Sequence, residues 1–282
     1  MKLKFENKAT GGHLAMLVND PQIKGKGMLN SEEKPINTIV INQSMKSQRV
    51  KIDEIEYIMP GNSLLPLVSN QHFIFEKPEA LICWQFNREF YCIVDHDAEV
   101  SCVGFLFFGI HHPMFIKLNP GDLKNIRIIE KLFLEDMKEK DRMQGEMLRT
   151  LLKRLIVKST RMAKIQSNSY QQLTDERFDL IRQFNLSLEM NFRKQHQVNF
   201  YARQLNKSPK TLSNLFRLSN FPSPSNLIHT RIIMEAKRYL FYTNKSAKEI
   251  GYLLGFESSA HFSRFFKLKT RINPSEIRKV KP

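Results

Sequence analysis

Two sets of side chains in this 282-residue sequence have the types and spacing suited to gripping an anion. Lys210, Asn214 and Arg217 stand at i, i+4, i+7, and Ala260, Arg264 and Lys267 repeat that spacing fifty residues later. Beside them run two apolar triples at i, i+3, i+4: Leu212, Leu215, Phe216 and Phe262, Phe265, Phe266. At about 100° per residue of an α-helix, each polar trio points largely away from its triple. One face of each helix therefore enters a core, and the other offers cations and an amide to solvent. Cations on such a face attract polyanions, of which nucleic acid is the commonest in a cell.

The distribution of charge agrees. The formal net charge is +16. Residues 1–125 carry 13 basic and 14 acidic side chains, residues 126–165 carry 11 and 6, and residues 166–282 carry 20 and 8. A neutral half joined to a basic half implies two jobs. At roughly 100–200 residues per domain the length suits two domains, and a hydrophobic fraction of 41% excludes wholesale disorder. The longest apolar run, Cys102 to Ile110, is nine residues, against the ~20 needed to span a membrane. Met1 to Asn7 shows no apolar signal-peptide core, and Cys83, Cys92 and Cys102 lack CxxC spacing, which suits a reducing, cytoplasmic location.

The elements that must position the two trios follow from the pattern. Residues 1–125 predict short strands at Ile36–Asn42, Val50–Met59, Phe73–Phe75, Leu81–Val94, Val100–Gly109 and Phe115–Leu118, with no helices between them. That describes an all-β barrel or sandwich. From about Leu123 the period becomes helical, and Leu148, Leu151, Leu152, Leu155 and Ile156 form a stripe that the barrel or a second copy must cover; we assign 126–165 as a dimerising helical segment. Gln166 to Gln172 reads as a linker. Beyond it, Ala202 to Asn206 aligns with Gly251 to Gly255 at a shift of forty-nine, placing Asn206 and Gly255 where a helix must stop and turn. Ser208, and Ser258 or Ser259, cap the helices that follow, and Ser246 with Glu249 makes a capping box. Helix, tight turn and capped second helix occur twice, at 198–218 and 246–268. A linking helix from Ser225 to about Tyr242 would span ~27 Å, close to the ~34 Å of one DNA turn.

These residues resemble the AraC family of bacterial transcription regulators. The resemblance lies in Ile232 to Leu240, Lys248 to Phe256, Phe262 to Lys267 and Pro274 to Arg278, and covers roughly 175–279. It implies a seven-helix DNA-binding domain at 166–282, attached to a cupin-like β-barrel sensor at 1–125 and a dimerising helix. By position, the base-facing residues of the family fall on Lys210, Ser213, Asn214, Ser259, Ala260, Ser263 and Arg264, with Ser208, Arg217, Lys267 and Lys269 reaching phosphates. Arg264 suits a bidentate guanine contact and Asn214 an adenine contact. The implied partners are double-stranded DNA read in the major groove, a second copy of the chain, RNA polymerase and a small-molecule effector, with no membrane. Three positions depart from the family pattern: Phe221 and Arg271 replace a Gly after each recognition helix, and Gly251 replaces a common Ala inside a helix at a cost of ~1 kcal/mol.

Other reactive residues form no comparable constellation. His13, His72, His96, His111 and His112 lack the His-x-His…Glu…His spacing of cupin metal sites, and adjacent strand residues such as His111 and His112 face opposite sides. Asp95-His96-Asp97 has no Ser or Cys nucleophile placed with it and reads as a turn. Trp84, Phe86, Phe90 and Tyr91 either line an effector pocket or form plain core. We assign no catalytic residue, no metal and no cofactor. The expectation is a sequence-specific transcription regulator rather than an enzyme. Its rivals are a cupin-type enzyme with an accessory DNA-binding module and a non-specific architectural DNA binder.

Overall fold

The computed structural model describes residues 1–23, 36–52, 55–68, 71–93, 106–107, 113–166, 175–219 and 221–279. The chain divides into two compact units, Met1–Ser167 and Asn168–Pro282. His96, His111, His112, Asp95, Asp97, Cys102 and the 167–172 part of the linker lie outside the described residues.

In the first unit nine strands among the described residues form two antiparallel sheets. The strands are β1 (Lys2–Asn7), β2 (Gly12–Val18), β3 (Ile36–Asn42), β4 (Gln48–Ile52), β5 (Ile55–Met59), β6 (Ser63–Leu67), β7 (Phe73–Phe75), β8 (Leu81–Asn87) and β9 (Ile116–Lys117). One sheet has the order β1-β2-β8-β3-β6-β9 and the other β5-β4-β7. Ala15, Leu17, Val40, Leu65 and Cys83 of the larger sheet share a core with Val50, Ile52, Met59, Phe73 and Phe75 of the smaller. Met16, Ile39 and Trp84, in register with one another, alternate onto the opposite face, where Trp84 meets Phe133 of a helix at 5.7 Å. Both faces of the central strands are thus covered, and β8 is buried along its whole length. Burial on both faces removes the polar alternation that a half-exposed strand would show.

Two long helices are described in this unit, α1 (Pro120–Asp136) and α2 (Gln144–Gln166). Asn119 opens α1 with a capping box: its side chain accepts from the Asp122 N–H at 2.8 Å, and the Asp122 carboxylate accepts from the Asn119 N–H. Leu148, Leu152, Leu155 and Ile156 are wholly buried in the single chain and Leu151 is half-buried. The stripe assigned to dimerisation is therefore covered by the chain itself, because it has the periodicity of a core-facing helix and an apolar neighbour within reach. Trp84, Phe86, Phe90 and Tyr91 are also buried, and protein rings pack against them: Phe133 on Trp84, Phe107 and Tyr91 on Phe86, Phe5 on Phe90.

Several strand boundaries differ from the sequence reading. Val50–Met59 is not one strand but the β4–β5 hairpin, with Ile52 paired to Ile55. β8 stops at Asn87, far short of Val94, because the buried Asn87 side chain takes over the backbone groups around it: Oδ1 accepts from the N–H of His13 and of Phe90, and Nδ2 donates to Gly11 O. Leu106 and Phe107, the described part of the apolar run expected as a strand, are helical and buried. β1, β2 and β6 carried no expectation. In β6 a proline is tolerated because β9 pairs only with Ser63 and Leu64, leaving Pro66 at an open edge with a strand neighbour, β3, on one side alone.

The second unit has seven helices among the described residues: α3 (Asp175–Asn191), α4 (Val198–Gln204), α5 (Pro209–Leu218), α6 (Pro224–Tyr242), α7 (Ala247–Leu253), α8 (Ser259–Thr270) and α9 (Pro274–Lys279). One core, including Phe184, Tyr201, Leu212, Phe216, Ile228, Ile232, Ile250, Phe262 and Phe266, runs through all of it. A buried ion cluster ties α3 and the segment after it to α6. Glu235, 2% exposed, accepts from Arg193 at 2.7 Å and Arg238 at 2.9 Å, and Arg231 bridges it to Glu189. The Arg231 guanidinium also lies 3.8 Å from the centre of the Phe192 ring. Burial opposes the charge on Glu235, yet Arg231, Arg238 and Arg193 together hold its carboxyl well below the usual range. Burial likewise opposes the charge on Arg231, and Glu189 and Glu235 overcome it.

Candidate nucleic-acid interface

The repeat seen in the sequence is repeated atom for atom in the backbone. After α4, Asn206 adopts a left-handed φ of 51°, and after α7, Gly255 adopts 77°. In the first motif Lys207 N–H donates to Ala202 O at 2.9 Å, and in the second motif Phe256 N–H donates to Gly251 O at 2.9 Å. These are the six-to-one bonds of a Schellman end, which reverse the chain in a few residues. A Cβ on Gly255 would stand 2.2 Å from Arg193 O, so no other residue fits that turn without displacing backbone. Next, Ser208 caps α5 by accepting from Thr211 N–H, and Ser258 caps α8 by accepting from His261 N–H. Ser246 and Glu249 form the expected capping box on α7.

Within the second unit the helices turn as their apolar triples require. Leu212 and Phe216 are buried on α5, and Phe262 and Phe266 on α8. The opposite faces are in solvent: Lys210, Ser213, Asn214 and Arg217 on α5, and Ala260, Arg264, Lys267 and Lys269 on α8, are exposed, while Ser259 and Ser263 are half-exposed. Among the described residues none of Lys210, Arg217, Arg264, Lys267 and Lys269 takes part in an ion pair, in contrast with the neutralised arginines of the buried cluster. Ser208 Oγ is engaged in its cap and also contacts Thr211 Oγ1 at 2.8 Å, so as a phosphate ligand it would have to share that oxygen. The linking helix α6 has 19 residues, ~28 Å at 1.5 Å per residue.

The departures from the family pattern resolve differently. Arg271 takes the left-handed conformation, φ 65°, without being glycine, and its N–H donates to Lys267 O. At the end of α5, Phe221 N–H donates to Phe216 O at 2.9 Å and Phe221 is not among the positive-φ residues. Gly251 is there for space: a Cβ on it would lie 3.0 Å from Phe262 Cβ and 3.2 Å from Phe262 Cγ.

The sequence reading missed a set of side chains beside this face. His196 Nε2 contacts Leu254 O at 2.7 Å, and its ring lies 4.8 Å from that of Phe256, which His261 also approaches at 5.3 Å. Burial pushes the His196 pKa down, a backbone bond to Leu254 counters it, and His261 adds to the lowering. His229, 5.4 Å from Phe265, is lowered by burial and by Lys269 and His196. These residues come from three separate segments, so spacing along the chain gave no signal. Among the described residues no group of His, Cys, Asp or Glu is placed to hold a metal, and no helix is long and apolar enough to cross a membrane.

Residues 201–280 match the family described as a helix-turn-helix domain. This segment is a helix-turn-helix domain. Similar solved structures include the C-terminal domain of the two-component response regulator YesN from Fusobacterium nucleatum, with 23% identity over 34% of this chain and 93% of that one and a TM-score of 0.32. An AraC-type transcriptional regulator from Chromobacterium violaceum is 27% identical over 34% of this chain and 87% of its own, with a TM-score of 0.31. ToxT from Vibrio cholerae aligns with 99% of this chain and 100% of its own at 13% identity, with a TM-score of 0.45. No curated protein matches the sequence. In this helix-turn-helix domain both capped second helices, α5 and α8, present their polar faces outward.

Proposed function

We propose that the chain is a sequence-specific transcription regulator that acts in the cytoplasm, with 166–282 as its DNA-binding domain, 1–125 as a sensor of a small-molecule effector and the helices of 126–165 as a means of pairing two copies. RNA polymerase is a further partner in this reading if the chain activates. The observation that carries the reading is the pair of capped recognition helices whose exposed faces hold unpaired Arg, Lys and Asn. On two equivalent faces these cations stand open to a polyanion. Phosphate contacts from Arg217, Lys267 and Lys269 would set register, and base edges would be read from Lys210, Ser213 and Asn214 on α5 and from Ser259, Ala260, Ser263 and Arg264 on α8.

The test is selection of bound duplexes from a random pool, followed by Arg264→Ala on the best site and its single-base variants. Base reading by Arg264 predicts a loss of ~1–3 kcal/mol of discrimination at one position. A uniform loss over all variants would make Arg264 a backbone clamp, and the absence of any preferred site would leave an architectural binder. Pairing of two copies is checked by sedimentation, since a 33.2 kDa monomer both free and on DNA rejects it. With the α2 stripe buried, such a contact must use other residues; Ile128 and Leu132 on α1, 50% and 38% exposed, are apolar side chains already in solvent.

A further inference from the structure

A groove of 860 Å³ lies inside the second unit between its two helix-turn-helix motifs. One wall is the outer face of α4, the first helix of the first motif, with the segment that precedes it. The other is the Gly255 turn and the first turn of α8, the recognition helix of the second motif. Phe256 and the half-buried His196 belong to this lining, and Lys194, Arg203 and His261 are exposed along it. Glu257 is the single carboxylate among the lining residues. Lys194 and Arg203 enter no ion pair among the described residues, and neither does Glu257.

We infer that this groove takes the sugar–phosphate strand that runs between the two major grooves read by α5 and α8, with Lys194 and Arg203 as phosphate ligands and His261 beside them. The inference rests on the DNA-binding reading above and adds a third contact surface to it. In a helix-turn-helix the recognition helix enters the major groove by its N-terminal residues while the first helix crosses the backbone. Here the crossing helix of one motif and the entering end of the other face the same groove, so a strand leaving the α8 site toward the first motif passes along it. Two cations against one carboxylate match a polyanion. Phe256, with His196 seated on its ring and bonded to Leu254 O, gives the groove a fixed floor. Contacts of this kind bind without reading sequence.

The experiment uses full-length chain with the duplex chosen by selection and with a scrambled duplex of equal length, titrated from low to moderate salt. Lys194→Gln/Arg203→Gln is expected to weaken both duplexes alike, by about eightfold per lost contact at 0.1 M salt, and to reduce the salt slope by about 1.8. Glu257→Gln is expected to tighten both a few-fold, a gain that a merely structural residue would not give. Unchanged affinity and slope in the double variant would overturn the inference, and so would a loss confined to the selected duplex. Equal melting temperatures of variant and parent are expected, since both cations are exposed; a variant that melts early is replaced by Lys194→Ala and Arg203→Ala measured singly. Failure of the unmodified chain to bind either duplex refutes the DNA-binding reading and the groove with it, whereas normal binding with silent variants refutes the groove alone.

Discussion

Replacing Gly251 with Ala sets helix propensity against packing, and the structure fixes which wins. In an exposed helix interior the change would stabilise by roughly 0.8–1 kcal/mol. At this position the new Cβ would sit 3.0 Å from Phe262 Cβ and 3.2 Å from its Cγ. Carbon atoms rest about 3.5–4.0 Å apart, so a gap of roughly half an ångström or more must open. Phe262 Cβ is one bond from the α8 backbone, and no rotamer moves it. Its ring is also held, fully buried, between Phe256 at 5.4 Å and Phe266 at 5.8 Å. The relief must come from parting α7 and α8, and overpacking of this kind costs typically ~1–3 kcal/mol. The expected net effect of Gly251→Ala is a loss of about 1 kcal/mol, read as a fall of several degrees in melting temperature or a lower urea midpoint at unchanged slope. Because α8 carries Arg264, preference for a selected site should weaken more than binding to scrambled duplex. A gain near 1 kcal/mol with site preference intact would refute the reasoning and show that α7 and α8 are not locked at this contact.

Other outcomes follow from the same structure. Arg271→Gly should stabilise the chain by ~1 kcal/mol, since an L-residue pays about that much for the left-handed conformation Arg271 adopts; a urea midpoint that stays put or falls contradicts this. Glu235→Gln should cost about 3–5 kcal/mol by leaving Arg231 and Arg238 short of a buried counter-charge, a loss that thermal or urea melts would miss only if the cluster were dispensable. The Glu235 carboxyl is lowered in the fold, so its contribution is present above the ordinary carboxylate range near pH 4–4.5 and lost as pH falls below it; the parent should lose stability there more steeply than Glu235→Gln. Leu152→Ala should destabilise by ~2–5 kcal/mol with a midpoint independent of protein concentration, because the side chain is fully buried within the single chain; a midpoint that rises with concentration would return that stripe to an interface between copies.

The sequence by itself determined the two helix-turn-helix motifs, because each of their signals is local. Capping serines, the left-handed Asn206 and Gly255, and an apolar triple at i, i+3, i+4 act within one or two helical turns, so their spacing along the chain is their spacing in space. The outward faces of Asn214 and Arg264 follow from the same periodicity. Where contacts join distant segments, the chain order was silent. β2 and β6 were missed because strands buried on both faces lose the alternation that marks a strand, whereas β1 went unread and β4 was merged with β5 although β4 does alternate; the pairing of β2 with β8 is settled by partners such as Met16 and Trp84 that lie far apart in sequence. The α2 stripe announced that something apolar must cover it, but a second copy and the chain's own first unit satisfy that demand equally in sequence; only the tertiary structure chose the latter. The same holds for the groove between the two motifs. Lys194 and Arg203 belong to one stretch of ordinary composition and Glu257 and His261 to another some fifty residues on, and it is the packing of the segment before α4 against the Gly255 turn, sealed by the His196–Leu254 hydrogen bond, that makes one surface of them.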